Sequence, residues 1–265
     1  MKGFLQSITG RLNRPSGLHL QLLSDLHLEV AQQYSTFTFP AVAPFLLLAG
    51  DIGRLIDYAG YLVFLEAQVA RAQELSEEPS LVGRLILLNK TRWDDPASRL
   101  TILGCTLWSA IPLDIRDIVK SKVSDFKKID GWTVEKHDHT HAEEAEWLRK
   151  QVSEVTSQEG DSGRKLIVVT HHAPCMQGTS RPADSANPWT PAFATDLVGH
   201  EEWRGINTWV FGHMHYSTDL VRDGIRVVAN QRGYVLPGSA AYEAESDRRK
   251  KRGKHDFEPS MVIVI

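Results

Sequence analysis

Cysteine is scarce in this chain: of 265 residues only Cys105 and Cys175 carry a thiol. Two are too few for a disulfide framework, and they read as plain thiols of a reducing compartment. Long apolar runs are missing too. None approaches the ~20 residues that a bilayer-spanning helix needs, which argues against a membrane as partner. The segment from Met1 to Gly17 is interrupted by Lys2, Arg11 and Arg14, and it lacks the continuous apolar core of a secretory signal. A flexible residue 1–17 stretch and a cytoplasmic location are expected. Nor is there an excess of charge: a formal net charge of -3 gives no global attraction to polyanions and argues against nucleic acid as a partner. The basic run Arg248, Arg249, Lys250, Lys251, Arg252 and Lys254 has no interleaved aromatics and reads as a solvated loop. No internal repeat and no further low-complexity tract is found.

What is present is an ordinary globular composition, 42% hydrophobic and 24% charged, long enough for one large core and cramped for two. One domain spanning residues 1–265 is expected. Short apolar runs recur at Leu18 to Leu23, Phe45 to Ala49, Leu85 to Leu88, Leu100 to Leu103, Leu166 to Val169, Thr208 to Phe211 and Ile225 to Ala229. Each ends in polar or Gly-containing punctuation and is predicted to be a buried strand. Helical spacing appears over Tyr58 to Leu75, with Leu62, Leu65 and Val69 on one face, and over Ala142 to Val155, with Leu148 and Val152. Strands alternating with helices predict an α/β sheet, and Asp223-Gly224 inside Val221 to Arg226 adds a hairpin. The loop-forming stretch Cys175 to Pro191 is placed to shape a substrate pocket.

Four of these strands run into acidic or imidazole side chains. Leu22-Leu23-Ser24-Asp25-Leu26-His27 sets an Asp and a His two residues apart, so both can lie on one strand face and reach one ion. Alone, the pair also fits a capping Asp beside an incidental His. Leu46-Leu47-Leu48-Ala49-Gly50-Asp51 ends a strand in a carboxylate after a Gly that permits a tight turn, and alone it also fits a cap. Ile167-Val168-Val169-Thr170-His171-His172 presents two imidazoles that must point apart, one suited to a ligand and the other to a pocket. Gly212-His213-Met214-His215 repeats the two-residue spacing with two imidazoles, favoured ligands of zinc, iron and related ions. As a set, these groups all follow predicted buried strands, the end at which open α/β sheets build sites. His137, His139 and His141 include an i, i+4 pair of the kind that can chelate zinc. Their company of Asp138, Glu143, Glu144 and Glu146 reads as a solvated helix start.

In order and context, Asp25-x-His27, Gly50-Asp51, His171 and Gly212-His213-x-His215 resemble the calcineurin-like metallophosphoesterases. The resemblance spans most of the chain. It implies a four-layer α/β/β/α sandwich of two mixed sheets. It further implies that Asp25, His27 and His215 hold one metal, that His171 and His213 hold the other, and that Asp51 bridges them. His172, the second of the paired imidazoles, is expected in the pocket as a substrate contact. Two divalent ions, manganese, iron or zinc, would then serve hydrolysis of a phosphomonoester or phosphodiester substrate.

The family pattern also includes Gly-Asn-His followed by Asp or Glu, and this chain has no Asn-His dipeptide. That Asn would complete the second metal's shell, and that His would assist the transition state or leaving group, so the second site is expected to be weakened. Asn89 with Lys90 comes next in order after Asp51, and a Lys can meet phosphate as a point charge. The stretch Leu85 to Trp108, however, resembles the segment that follows the motif in relatives, which favours loss over substitution. A loss near Arg71 to Ser80 would remove a central strand. An active hydrolase and a catalytically impaired binding or regulatory protein on the same scaffold both remain open.

Overall fold

A computed structural model describes residues 17–54, 57, 86–157, 163–239 and 253–265. Its strands are β1 (His19–Leu23), β2 (Phe45–Leu48), β3 (Thr91–Asp94), β4 (Leu100–Cys105), β5 (Lys165–Thr170), β6 (Thr208–Val210), β7 (Thr218–Arg222), β8 (Ile225–Ala229) and β9 (Val262–Val264). The described α-helices are α1 (Arg116–Lys122), α2 (Asp125–Lys128) and α3 (Val134–Thr156). Two mixed sheets result, one in the order β2-β1-β9 and one in the order β3-β4-β5-β6-β8-β7. This is the two-sheet architecture that the family resemblance implied.

Alternation along the strands explains how the layers stack. In β4 and β5, Leu100, Ile102, Ile167 and Val169 point inward and join Leu20, Leu22, Leu47, Val210, Val228 and Ile263 in one apolar cluster between the sheets. The opposite faces, with Leu103, Leu166, Val168 and Trp209, pack against Ala145, Leu148, Val152 and Val155 of α3. A strand buried on both sides reads as a continuous apolar run, which is why β5 was legible in the sequence. On its outer side the three-stranded sheet is covered by Leu26, Leu28, Tyr34, Phe37 and Phe39, with Ile52 and Phe257.

Helix α3 begins earlier than its apolar spacing predicts, at Val134, where the Thr133 hydroxyl accepts the Lys136 N–H at 3.2 Å as an N-cap. The added turns carry His137 and His141, and these are not a solvated helix start. They are 0% and 8% exposed and bind the loop after β4: His141 Nδ1 meets the Leu107 carbonyl at 2.8 Å and His137 Nε2 meets Ser109 Oγ at 3.0 Å. Residues 86–88 form no strand, contrary to expectation. Leu88 packs into the inter-sheet core while Leu87 is exposed. The ordered edge strand is instead β3, whose Thr-Arg-Trp-Asp sequence offers little apolar signal.

The expected flexible terminus, the helix Tyr58 to Leu75, the suspected loss at Arg71 to Ser80 and the basic residues 248–252 lie outside the described residues. Among those described, no helix is long and apolar enough to cross a membrane.

The topology fixes where the four motifs end. β1 and β2 run parallel, as do β5 and β6, so the residues leaving each pair emerge on the same side. Leu148 anchors α3 to the sheet and is 0% exposed. Leu148→Ala is expected to destabilise the fold by about 2–5 kcal/mol, read as a lower urea midpoint at unchanged slope.

Candidate metal centre

Past its last strand residue, the β1 chain continues alongside the β2 chain. Asp25 N–H donates to the Gly50 carbonyl at 3.0 Å and His27 N–H to that of Asp51 at 2.9 Å. On the second sheet, Gly212 N–H donates to the His171 carbonyl at 2.9 Å. The two sheets meet at Asp25, whose carboxylate oxygens accept the His213 N–H at 2.9 and 3.1 Å. Ser24 Oγ lies 2.5 Å from the same carboxylate.

These contacts gather all six residues expected as ligands. Asp25, His27 and His215 form one group and Asp51, His171 and His213 another, with ligand atoms in each group within 4.8 Å of one another. Asp51 stands between them: its Oδ2 is 3.7 Å from His27 Nε2 and 3.4 Å from His171 Nε2. Within the groups, His27 Nε2 faces His215 Nε2 at 2.9 Å, and His213 Nδ1 faces His171 Nε2 at 3.0 Å. Two nitrogens each ~2.0–2.2 Å from one ion, with bonds meeting near a right angle, have about this spacing, so the donor set fits divalent cations.

Outer contacts orient the rings in the manner of metal-bound histidines. His27 Nδ1 lies 3.1 Å from Glu29 Oε1, and His171 Nδ1 donates to the Ala49 carbonyl at 3.0 Å. Neither partner was singled out from the sequence. Glu29 stands at the i+2 position from His27, a signal that was available, whereas a carbonyl oxygen has no sequence signature.

Backbone strain concentrates in the same place. Asp25, His27, Asp51, His213 and His215 all have positive φ, between 46° and 71°, a region costly to residues with a Cβ. Two glycines permit close approach. A Cβ on Gly50 would stand 2.3 Å from His171 Nδ1, and one on Gly212 would stand 2.4 Å from Ser24 Oγ and 2.7 Å from Asp25 Oδ2.

Burial pushes the Asp25 carboxyl up to about 6, against the pull of His171 and with the help of Asp51. Burial also works to raise Asp51, but the imidazoles of His171, His213 and His27 outweigh it and hold that carboxyl well below the usual range. His171 shows the reverse balance: burial lowers it, yet Asp51 by charge and hydrogen bond, with Asp25, brings it to about 9. Burial, then the charge of a neighbouring imidazole, lowers His213 to about 3 and His215 to about 4. Those two are neutral at pH 7, the form that coordinates metals.

His172, expected as a substrate contact, is 1% exposed. It stacks on His213 at 4.5 Å and 13°, with Trp108 and His137 around it. It lies behind the ligand group. Asn89 is exposed, and its carbonyl accepts from Thr91 Oγ1 at 3.1 Å. Tyr234 was not anticipated. Its ring lies 4.2 Å from that of His27 and 4.8 Å from that of His215.

No family model matches the chain. Over 159 residues it is 28% identical to an uncharacterized protein of Acanthamoeba polyphaga mimivirus, covering 57% of this chain and 55% of that protein. The match thus spans about half the length of that curated relative. Among solved structures the chain is similar to phosphopantetheinyl hydrolase from Mycobacterium tuberculosis, with a TM-score of 0.52 and 15% identity over 91% of this chain and 95% of that one. The likeness shows a shared fold.

A cation must displace the proton on His171 and find Asp25 ionised, so binding competes with protons. Manganese affinity by calorimetry is therefore expected to rise with pH from 6 through about 9, with protons released near pH 7.5. Gly212→Ala, whose Cβ would stand 2.6 Å from the Ala49 carbonyl oxygen and 2.7 Å from Asp25 Oδ2, is expected to abolish that binding and to lower the urea midpoint.

Proposed function

We propose that the protein is a metal-dependent hydrolase of phosphomonoester or phosphodiester bonds, with residues 1–265 as one domain. The observation that carries this is Asp51, whose carboxylate lies within 3.7 Å of imidazoles from both ligand groups. In this assignment Asp25, His27 and His215 hold one divalent cation, His171 and His213 hold the second, and Asp51 serves both. A donor set of carboxylates and imidazoles suits manganese, iron or zinc. When bound, such a pair supplies positive charge against phosphoryl oxygens and makes water acidic enough to attack near neutral pH. The chain itself keeps the donors in place: Glu29 and the Ala49 carbonyl orient two imidazoles, and His172 supports His213 from behind. The shared fold includes a protein named as a hydrolase, which supports the same class of chemistry here.

A second possibility is favoured by one feature, the missing Asn-His dipeptide. A chain without that motif can hold metal and bind phosphate esters without turning them over. Metal analysis combined with an assay on bis-p-nitrophenyl phosphate and p-nitrophenyl phosphate separates the two. Two ions per chain with manganese-dependent release of nitrophenol is the expected result. Two ions without turnover would establish the binding protein, and fewer than two would overturn the dinuclear assignment. Asp51→Asn should cost more than about 100-fold in kcat/KM, whereas His172→Phe should cost less, within about 10- to 100-fold, the range for a residue that only supports a ligand. Equal losses would contradict these roles.

A further inference from the structure

Aromatic rings touch the ligand imidazoles on both sides of the centre. Phe193 lies 4.7 Å from His213, but it packs with Ile111, Val123 and Trp189 in a small apolar cluster, which accounts for its position. Tyr234 is different. The residue is 64% exposed while its ring rests on His27 and His215.

The backbone that carries Tyr234 is held firmly. After β8, Asn230 and Gln231 are buried. Ser24 N–H donates to the Asn230 carbonyl at 3.0 Å, Arg232 N–H to that of Ser24 at 3.1 Å and Gly233 N–H to that of Asp25 at 2.9 Å. Gly233 has φ +71°, and a Cβ there would meet the His215 side chain at 3.4 Å. The segment thus continues the sheet pairing beside the strand end that bears Asp25, then delivers Tyr234 over the ligand rings. An exposed tyrosine that follows a hydrogen-bonded backbone offers a large planar contact at little entropic cost, the property that makes tyrosine frequent in binding surfaces.

We propose that Tyr234 is a specificity residue whose ring stacks on the ester group of the substrate, so that the centre takes phosphate esters of planar aromatic or heteroaromatic groups. This rests on the phosphoesterase assignment above. A phosphoryl group held beside His27 and His215 brings its ester substituent within reach of the phenol, because that ring is in contact with both imidazoles. The competing role, a shield that only keeps water off the two imidazoles, predicts no preference among substituents.

The test uses manganese-loaded full-length protein and calorimetric titration with phenylphosphonate and methylphosphonate, whose P–C bonds replace the ester linkage. Phenylphosphonate is expected to bind about threefold to tenfold tighter, the range of one aromatic pair. Tyr234→Phe should keep that preference. Tyr234→Ala should bring the ratio to about one, with methylphosphonate affinity held within about twofold, since methylphosphonate has no ring to stack and His27 keeps its Glu29 partner. A preference that survives in Tyr234→Ala overturns the proposal, as does equal weakening of both phosphonates or loss of manganese binding by that variant. If methylphosphonate binds and only the ratio fails to move, Tyr234 loses its role while the phosphoesterase assignment stands. If neither phosphonate binds the manganese-loaded wild type, that assignment falls, and the role of Tyr234 with it.

Discussion

The buried carboxylate of Asp25 joins the two sheets at the point where the chemistry is gathered. It belongs to the chain leaving β1, and it accepts the backbone N–H of His213, which belongs to the chain leaving β6. Ser24 Oγ lies between this carboxylate, at 2.5 Å, and the Ala49 carbonyl, at 3.0 Å, and its one proton can serve either acceptor, so the strand end of β2 meets the same knot. The Ala49 carbonyl in turn accepts from His171 Nδ1. A buried carboxylate is costly without partners. Here the backbone donor, the hydroxyl and the nearby imidazoles supply them, and the same residue remains turned toward His215, with Oδ1 3.5 Å from Nε2.

This knot also sustains the strain around it. Five ligand candidates have left-handed backbones, at roughly 1–2 kcal/mol each for residues with a Cβ. The strain is spread over segments whose backbone groups are paired across the two parallel strand ends, so relief at one position would break bonds at the next. The consequence is a set of imidazoles and carboxylates that the backbone points at common centres.

Histidine position, more than histidine number, separates the rings of the two candidate ligand groups from those that serve packing. His213 and His215 are kept neutral by burial and by neighbouring imidazoles, whereas Asp51 draws His171 toward the protonated form. His137 and His141 are equally rich in neighbours, yet their nitrogens bind the turn after β4. That turn is itself left-handed at Leu107 and Trp108. These rings support the wall behind His172 and hold no place in either ligand group.

The sequence by itself determined the strands that carry the site and the six residues at their ends. Central parallel strands are buried on both faces, so they appear as unbroken apolar runs, and acidic or imidazole groups after four of them form a set that separate caps and turns do not explain. It could not reveal that His137 and His141 are buried, because the charged residues around them share their helix and alternate with them at helical spacing. Nor could it show β3, an edge strand with little apolar content, or the irregular path of residues 86–88. The family resemblance already implied how the six residues divide, and the tertiary structure supplies the cause, since grouping depends on which strand ends are neighbours across the two sheets. Tertiary structure alone placed Glu29, the Ala49 carbonyl and Tyr234 on the ligand rings. Tyr234 reaches His27 across about 200 residues of chain only because Arg232 and Gly233 pair with Ser24 and Asp25, a long-range contact that no local pattern encodes.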